Sequence, residues 1–110
     1  MGRIVNYTIN REVAASSTET VTVLYPAPGR KAKLVGMQIH VPTGTDFALK
    51  VRLWRGDEPL FEGDKYISTA QGTVKLNLNE ENVTYGSLTV EIVNTDSANP
   101  HKIMIVLEFA

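Results

Sequence analysis

The sequence predicts an all-β fold, an antiparallel β-sandwich with a jelly-roll-like arrangement of about eight short strands. Three observations support this prediction. Apolar residues recur at every second position, as in strands with one buried face, and turn residues separate these runs at short intervals. Eight strands are also the number that builds the two four-stranded sheets of a jelly roll. The chain has 110 residues, which suits one domain, and we expect residues 1–110 to form a single sandwich.

Each alternating run is a predicted strand. In the clearest one, Phe47, Leu49, Val51 and Leu53 face one side, and the residues between them face the other. The same alternation marks Val5–Ile9, Val21–Tyr25, Val35–Val41, Val74–Leu78, Leu88–Ile92 and Ile103–Phe109, and a weaker eighth strand spans Leu60–Ile67. The predicted core contains Val5, Val23, Met37, Ile39, Leu49, Val51, Leu76, Val90, Ile92, Ile105 and Leu107.

Two segments depart from the alternation. Gly36 lies inside a predicted strand, which indicates a bulge or a close approach of another backbone. The segment Asn10–Thr20 has one large apolar residue, Val13, and is the only candidate for a helix. We expect it to form a connecting loop or a single turn.

Composition narrows the possible functions. The chain has 11 basic and 12 acidic residues, a net charge of −1, which gives no general attraction to nucleic acids or anionic membranes. It has no cysteine, so disulfides, thiolate metal sites and thiol nucleophiles are excluded. No apolar stretch approaches the roughly 20 residues that span a bilayer, and the N-terminal residues do not resemble a signal peptide. We expect a protein made in the cytoplasm, with no nucleic acid or membrane partner.

No motif for catalysis or metal binding is present. His40 and His101 are far apart in the sequence, and no serine lies in a nucleophile elbow. Four acidic residues fall close together, but they lack the spacing of a calcium loop: Asp57, Glu58, Glu62 and Asp64. We expect a solvated acidic loop, no catalytic residue, no metal, no cofactor and no enzymatic activity.

The tripeptide Arg55-Gly56-Asp57 spells a cell-attachment motif. It also follows a predicted strand and precedes Pro59, so residues 55–59 are predicted to form a hairpin loop in which glycine supplies a positive φ. We interpret the tripeptide as a turn and expect no adhesive function.

Trp54 is the most informative aromatic residue. The alternation that buries Leu53 places Trp54 on the opposite face, beside Lys50 and Arg52. An exposed tryptophan can anchor a protein partner or stack on a sugar ring. The other interpretation is that it covers the strand edge or packs against Tyr66 or Phe61.

Over nearly its whole length the chain resembles the small β-sandwich virion proteins of tailed bacterial and archaeal viruses, which decorate capsids or form part of the tail. The resemblance lies in the strand-and-loop pattern of VAASSTETVTVLYPAPGRKAKLVGMQIHVPTGTDFALKVRLWRGDEPLFEG and of the closing hairpin SLTVEIVNTDSANPHKIMIVLEFA. It implies a non-enzymatic structural protein that is assembled in the host cytoplasm, resides in the virion, binds capsid or tail proteins and forms a homo-oligomer. The alternative is a cytoplasmic carbohydrate- or ligand-binding module that uses Trp54.

The expected interfaces are the strands at the two chain ends, 3–9 and 102–109, because unpaired strand edges can add a further strand. The face that carries Trp54 is a second expected contact. The interface candidates are Arg3, Val5, Tyr7, Arg52, Trp54 and Phe109.

Overall fold

The computed structural model describes residues 4–60 and 66–110, which form an all-β fold of two packed antiparallel sheets. This confirms the predicted sandwich. The described residues form eight strands: β1 (Val5–Val13), β2 (Thr18–Thr22), β3 (Lys31–Val41), β4 (Leu49–Arg55), β5 (Glu58–Pro59), β6 (Gly72–Thr84), β7 (Leu88–Asn94) and β8 (His101–Phe109). Within the same ranges, no helix is long and apolar enough to cross a membrane.

The strand order is that of a jelly roll. One sheet, called sheet A here, has the order β1-β8-β3-β6, and sheet B has the order β2-β7-β4-β5. Consecutive strands mostly alternate between the sheets, so the chain crosses the sandwich at almost every turn. Each sheet therefore has two central strands and two edge strands, and β8 is central because it pairs with both β1 and β3.

The inward faces of the two sheets form one apolar core. Across sheet A, Ile9 lies opposite Ile105, which lies opposite Ile39, and all three are buried. Nine of the eleven predicted core residues are buried: Val23, Met37, Ile39, Leu49, Val51, Val90, Ile92, Ile105 and Leu107. Val5 is 39% exposed and Leu76 is half-buried, because β1 and β6 are the edges of sheet A.

The strand that begins at Leu49 was predicted to start at Phe47. Phe47 is instead 57% exposed, and its φ of 62° ends the strand geometry there. Asp46 also has a positive φ of 47°, and its backbone N–H bonds to the carbonyl of Ala70. Two consecutive left-handed residues turn the chain before β4, and the alternation of side chains does not reveal that turn.

The predicted loop at Asn10–Thr20 is wrong at both ends, because β1 continues through Val13 and β2 begins at Thr18. Arg11 and Glu12 are paired with β8, and Val13 is fully buried. The prediction at Gly36 is confirmed. The register of β3 shifts between Leu34 and Gly36, and a Cβ at residue 36 would lie 2.5 Å from a carboxylate oxygen of Glu108.

The eighth predicted strand is only partly present. Strand β5 has two residues, and Ile67 forms an isolated bridge to Val51. The rest of that prediction, residues 61–65, lies outside the described residues. Strand β5 is therefore a short edge of sheet B.

Candidate functional site

The polar side chains at one end of the sandwich hold loops together. The β7–β8 loop carries Asp96, whose carboxylate accepts hydrogen bonds from the backbone N–H of Ala98 at 2.8 Å and from the Nε2 of His101 at 2.8 Å. These two contacts, in that order, are the main causes that lower the pKa of Asp96 from 3.8 to about 2. A carboxylate bound to its own loop in this way orders the loop, and we assign the pair a structural role.

Asn94 is a buried polar residue at the end of β7, 1% exposed. Its Nδ2 donates to the carbonyl oxygens of Val13 and Asn99 at 3.0 Å each, and its Oδ1 accepts from the backbone N–H of Asp96 at 2.9 Å. It thereby ties β1 to the β7–β8 loop. Sequence reasoning missed this residue, although it continues the inward phase of Val90 and Ile92.

The described residues contain no group of three or more His, Asp or Glu side chains placed to hold a metal ion. His40 lies on the outer face of sheet A, where its Nδ1 accepts from Thr73 Oγ1 at 2.7 Å and its Nε2 donates to Gln38 Oε1 at 3.1 Å. Of the acidic cluster, Asp57 and Glu58 are exposed at the β4–β5 turn. Glu62 and Asp64 lie outside the described residues.

The outer face of sheet B carries a cluster around Arg52. The Arg52 guanidinium lies over the ring of Trp54 at 4.8 Å and over the ring of Tyr66 at 4.3 Å, and its Nε bonds to Glu91 Oε1 at 2.8 Å. Trp54 is half-buried. Trp54 therefore packs locally, against Arg52. The guanidinium covers part of the indole ring on which a sugar would have to stack.

The tripeptide Arg55-Gly56-Asp57 is a hairpin turn, as predicted, but a tighter one than expected. Arg55 pairs with Glu58, so Gly56 and Asp57 are its two central residues. Gly56 has a φ of 59°, and its N–H bonds to the carbonyl of Ser87 at 3.0 Å. Glycine with positive φ at the first central position is typical of a type II′ turn. The lack of adhesion stays a prediction.

Three exposed apolar residues, Ile4, Val5 and Leu24, lie at the end of the sandwich where β1 begins, and we call them the apolar corner. Ile4 is 55% exposed and Leu24 is 56% exposed. The backbone N–H of Leu24 bonds to the Tyr7 hydroxyl at 3.2 Å, which joins the β2–β3 loop to β1. Of the interface candidates, Val5 and Tyr7 thus lie in or beside this surface, and Arg3 lies outside the described residues.

Phe109 is not a surface residue, contrary to expectation. It is fully buried and packs against Tyr25, with ring centroids 4.6 Å apart. The expectation treated β8 as an unpaired end, whereas β1 and β3 flank it. A free edge in this molecule is set by the strand order and not by nearness to a chain end.

The fold is similar to that of several solved structures, although no family model and no curated protein matches the sequence. The Cyanophage Pam1 capsid asymmetric unit contains a chain 12% identical, with a TM-score of 0.56, over 97% of this chain and 82% of that one. The Yersinia pseudotuberculosis-derived mitogen is 13% identical, with a TM-score of 0.50, over 97% and 86%. The Tobacco streak virus coat protein is 7% identical, with a TM-score of 0.39, over 93% and 85%. At these identities the likeness to the first two structures establishes the fold alone.

Proposed function

We propose that the protein is a non-enzymatic virion structural protein that decorates a capsid or belongs to a tail and acts by binding other virion proteins. The observation that carries the proposal is the whole-length jelly roll, whose strand order leaves sheet edges unpaired and which is similar in fold to a cyanophage capsid chain. Unpaired edges and exposed apolar residues are the features through which such sandwiches associate.

The polar groups support a structural role. Asp96, His101 and Asn94 are bonded to loop backbone or to each other, and these bonds order one end of the molecule. The apolar corner lies at the other end. We assign it as the contact with another virion protein, because burying Leu24 and Ile4 on assembly removes apolar surface from water.

The sugar-binding alternative has less support. A sugar platform needs an aromatic face open to solvent, and Arg52 lies over the ring of Trp54. We assign this cluster to holding β4 and Tyr66 together and expect no glycan to bind it.

The experiment is to purify particles from the source by density gradient and to identify their proteins by mass spectrometry. We expect this chain in the particle fraction at a constant ratio to the main capsid or tail protein, and neighbouring reading frames that encode capsid, portal or terminase proteins. Absence from the particles together with unrelated neighbouring genes would overturn the proposal.

A pair of substitutions tests the apolar corner. Leu24→Ser should reduce incorporation into particles, whereas Phe47→Asn should not. Phe47 is the matched control, because it is equally exposed, 57% against 56%, but lies at the opposite end of the sandwich. Equal incorporation of both variants would place the contact elsewhere.

A further inference from the structure

Four strands are sheet edges, and three of them carry features that oppose the addition of another strand. Strand β5 has two residues, one of which is Pro59 and lacks an N–H donor. Strand β2 has five residues, and Glu19 stands on its inward phase, opposite the buried Ile92. Short edges and inward-pointing charges are devices that keep sheet edges from pairing.

Strand β1 has the same kind of protection. Arg11 lies opposite the buried Ile103 and so occupies the inward phase, yet its side chain is exposed and its Nη1 donates to the carbonyl of Asn10 at 2.8 Å. A strand added along this part of β1 would have to accommodate a guanidinium at the rim of the core. Such a charge disfavours pairing.

The first half of β6 has neither a proline nor an inward-pointing charge, and its one charged residue, Lys75, lies on the outer face. With 13 residues, β6 is the longest strand described, and within residues 4–60 and 66–110 only β3 pairs with it. Its inward residues Val74, Leu76 and Leu78 are aliphatic and only half-buried, as is usual in an edge strand. Lys75 and Asn77 lie on the outer face and are exposed. A second strand here would complete the burial of three apolar residues.

We propose that residues Val74–Leu78 pair antiparallel with the same residues of a second copy of this chain. In the register that places Leu76 opposite Leu76, Val74 lies opposite Leu78 and Lys75 lies opposite Asn77. The inward row is then aliphatic throughout, and each lysine faces an amide instead of another lysine. The segment is thus complementary to itself, which favours a second copy over another extended peptide. The inference rests on the proposed assembly function and names one of its contacts.

Antiparallel pairing of one strand with itself has two-fold symmetry and closes at a dimer. Pairing of residues 74–78 in this register adds about four to six hydrogen bonds, near the lower end of the number found in protein interfaces. Such a contact is weak by itself, so we expect a dimer that forms at high protein concentration and dissociates on dilution. In a lattice, where each chain makes several contacts, weak pairings add up.

The test is a charge exchange at the edge, read by sedimentation equilibrium. Asn77→Lys puts two lysines opposite each other twice by symmetry, so the dimer Kd should rise about tenfold. Adding Lys75→Glu to that variant makes both pairs attractive, so dimerisation should return to at least the wild-type level. Thr8→Lys is the control, with the same charge added to the outer face of the opposite edge of sheet A, and it should leave the Kd unchanged.

A second variant tests the register. The chain has no cysteine, so Leu76→Cys carries a single thiol. Residues directly opposite in an antiparallel pair have Cα atoms about 4.5–5.5 Å apart, which is within the range of a disulfide. Oxidation should therefore give a covalent dimer, whereas Thr20→Cys on the outer face of β2 should not.

A wild-type protein that stays monomeric at high concentration would overturn the inference. A dimer whose Kd does not change with the charge exchange would overturn it too. Either result leaves the particle experiment to decide the proposed function on its own. The dimer could also respond to the charge exchange while the protein is absent from particles. That result would support self-pairing through β6 and contradict the proposed virion function.

Discussion

At the scale of single residues, Asn94 makes the buried hydrogen bonds that join β1 to the β7–β8 loop. Its side chain is buried and bonds to Val13, Asn99 and Asp96. Asn94→Ala leaves these backbone groups without partners, so we expect the free energy of unfolding to fall by about 3 kcal/mol in urea denaturation. Asn6→Ala, an exposed change on β1, is the control and should stay within about 0.5 kcal/mol. Equal losses would show that Asn94 is not a structural centre.

The lowered pKa of Asp96 predicts that the stability of the fold depends on pH. Its pKa in the folded protein, about 2, lies below the ordinary 3.8, so the folded state holds the ionised form more tightly than the unfolded state does. The stability that results is present above pH 4 and is lost as the pH falls towards 2. Urea midpoints measured from pH 5 to pH 2 should therefore decrease more steeply for wild type than for Asp96→Asn. Parallel curves for the two proteins would contradict this role.

The sequence carried only part of this information. Asn94 continues an apolar alternation, so a buried polar residue could have been inferred from its phase. Its partners could not, because Val13 lies 81 residues away in the chain and local spacing does not report long-range contacts. The pairing of His101 with Asp96 was missed because it depends on the loop conformation.

At the scale of elements, the Arg52 cluster fixes the outer face of β4. The guanidinium lies within 5 Å of the rings of Trp54 and Tyr66 and bonds to Glu91 on β7. A double-mutant cycle with Arg52→Ala and Trp54→Ala should give a coupling energy of about 0.5–2 kcal/mol in the free energy of unfolding. A coupling near zero would mean that the two side chains are independent, and it would leave the Trp54 ring open to a ligand.

Strand β8 gives a direct test of which face is the core. Ile105 is fully buried, and its neighbour Met104 is half-buried on the outer face. We expect Ile105→Ala to cost about 2–5 kcal/mol of unfolding free energy, and Met104→Ala to cost clearly less, in the same denaturation experiment. The reverse order would mean that the strand is shifted by one residue, which exchanges its two faces.

The alternation predicted most strands because a period of two follows directly from one-sided burial. It did not find the end of β1 at Val13, since Arg11 and Glu12 are polar residues in an edge strand that is solvated on its open side. It also placed Phe47 inside a strand, because the spacing of apolar residues does not report the positive φ of Asp46 and Phe47.

At the scale of the whole molecule, the strand order decides which surfaces are free. The jelly-roll-like sandwich was predicted from strand number, but the order β1-β8-β3-β6 depends on pairings between distant segments. Val5 pairs with Phe109, for example, across nearly the full length of the chain. The sequence alone does not reveal that pairing, so it indicated β8 as an edge strand and gave no sign that β6 is one. The sequence therefore indicated β1 as an edge of sheet A but did not indicate β6 as the other.

Hydrogen exchange can map this order across the molecule. The central strands β3, β8, β4 and β7 pair on both sides, so their amides should exchange through the largest openings and be the slowest. In dilute protein, β6 should exchange faster than β8 along residues 74–78, because among residues 4–60 and 66–110 only β3 pairs with it. Raising the concentration should slow exchange there and leave β1 unchanged. A β6 that is as slow as β8 in dilute protein would show that this edge is already covered within one chain, and self-pairing through it would then be excluded.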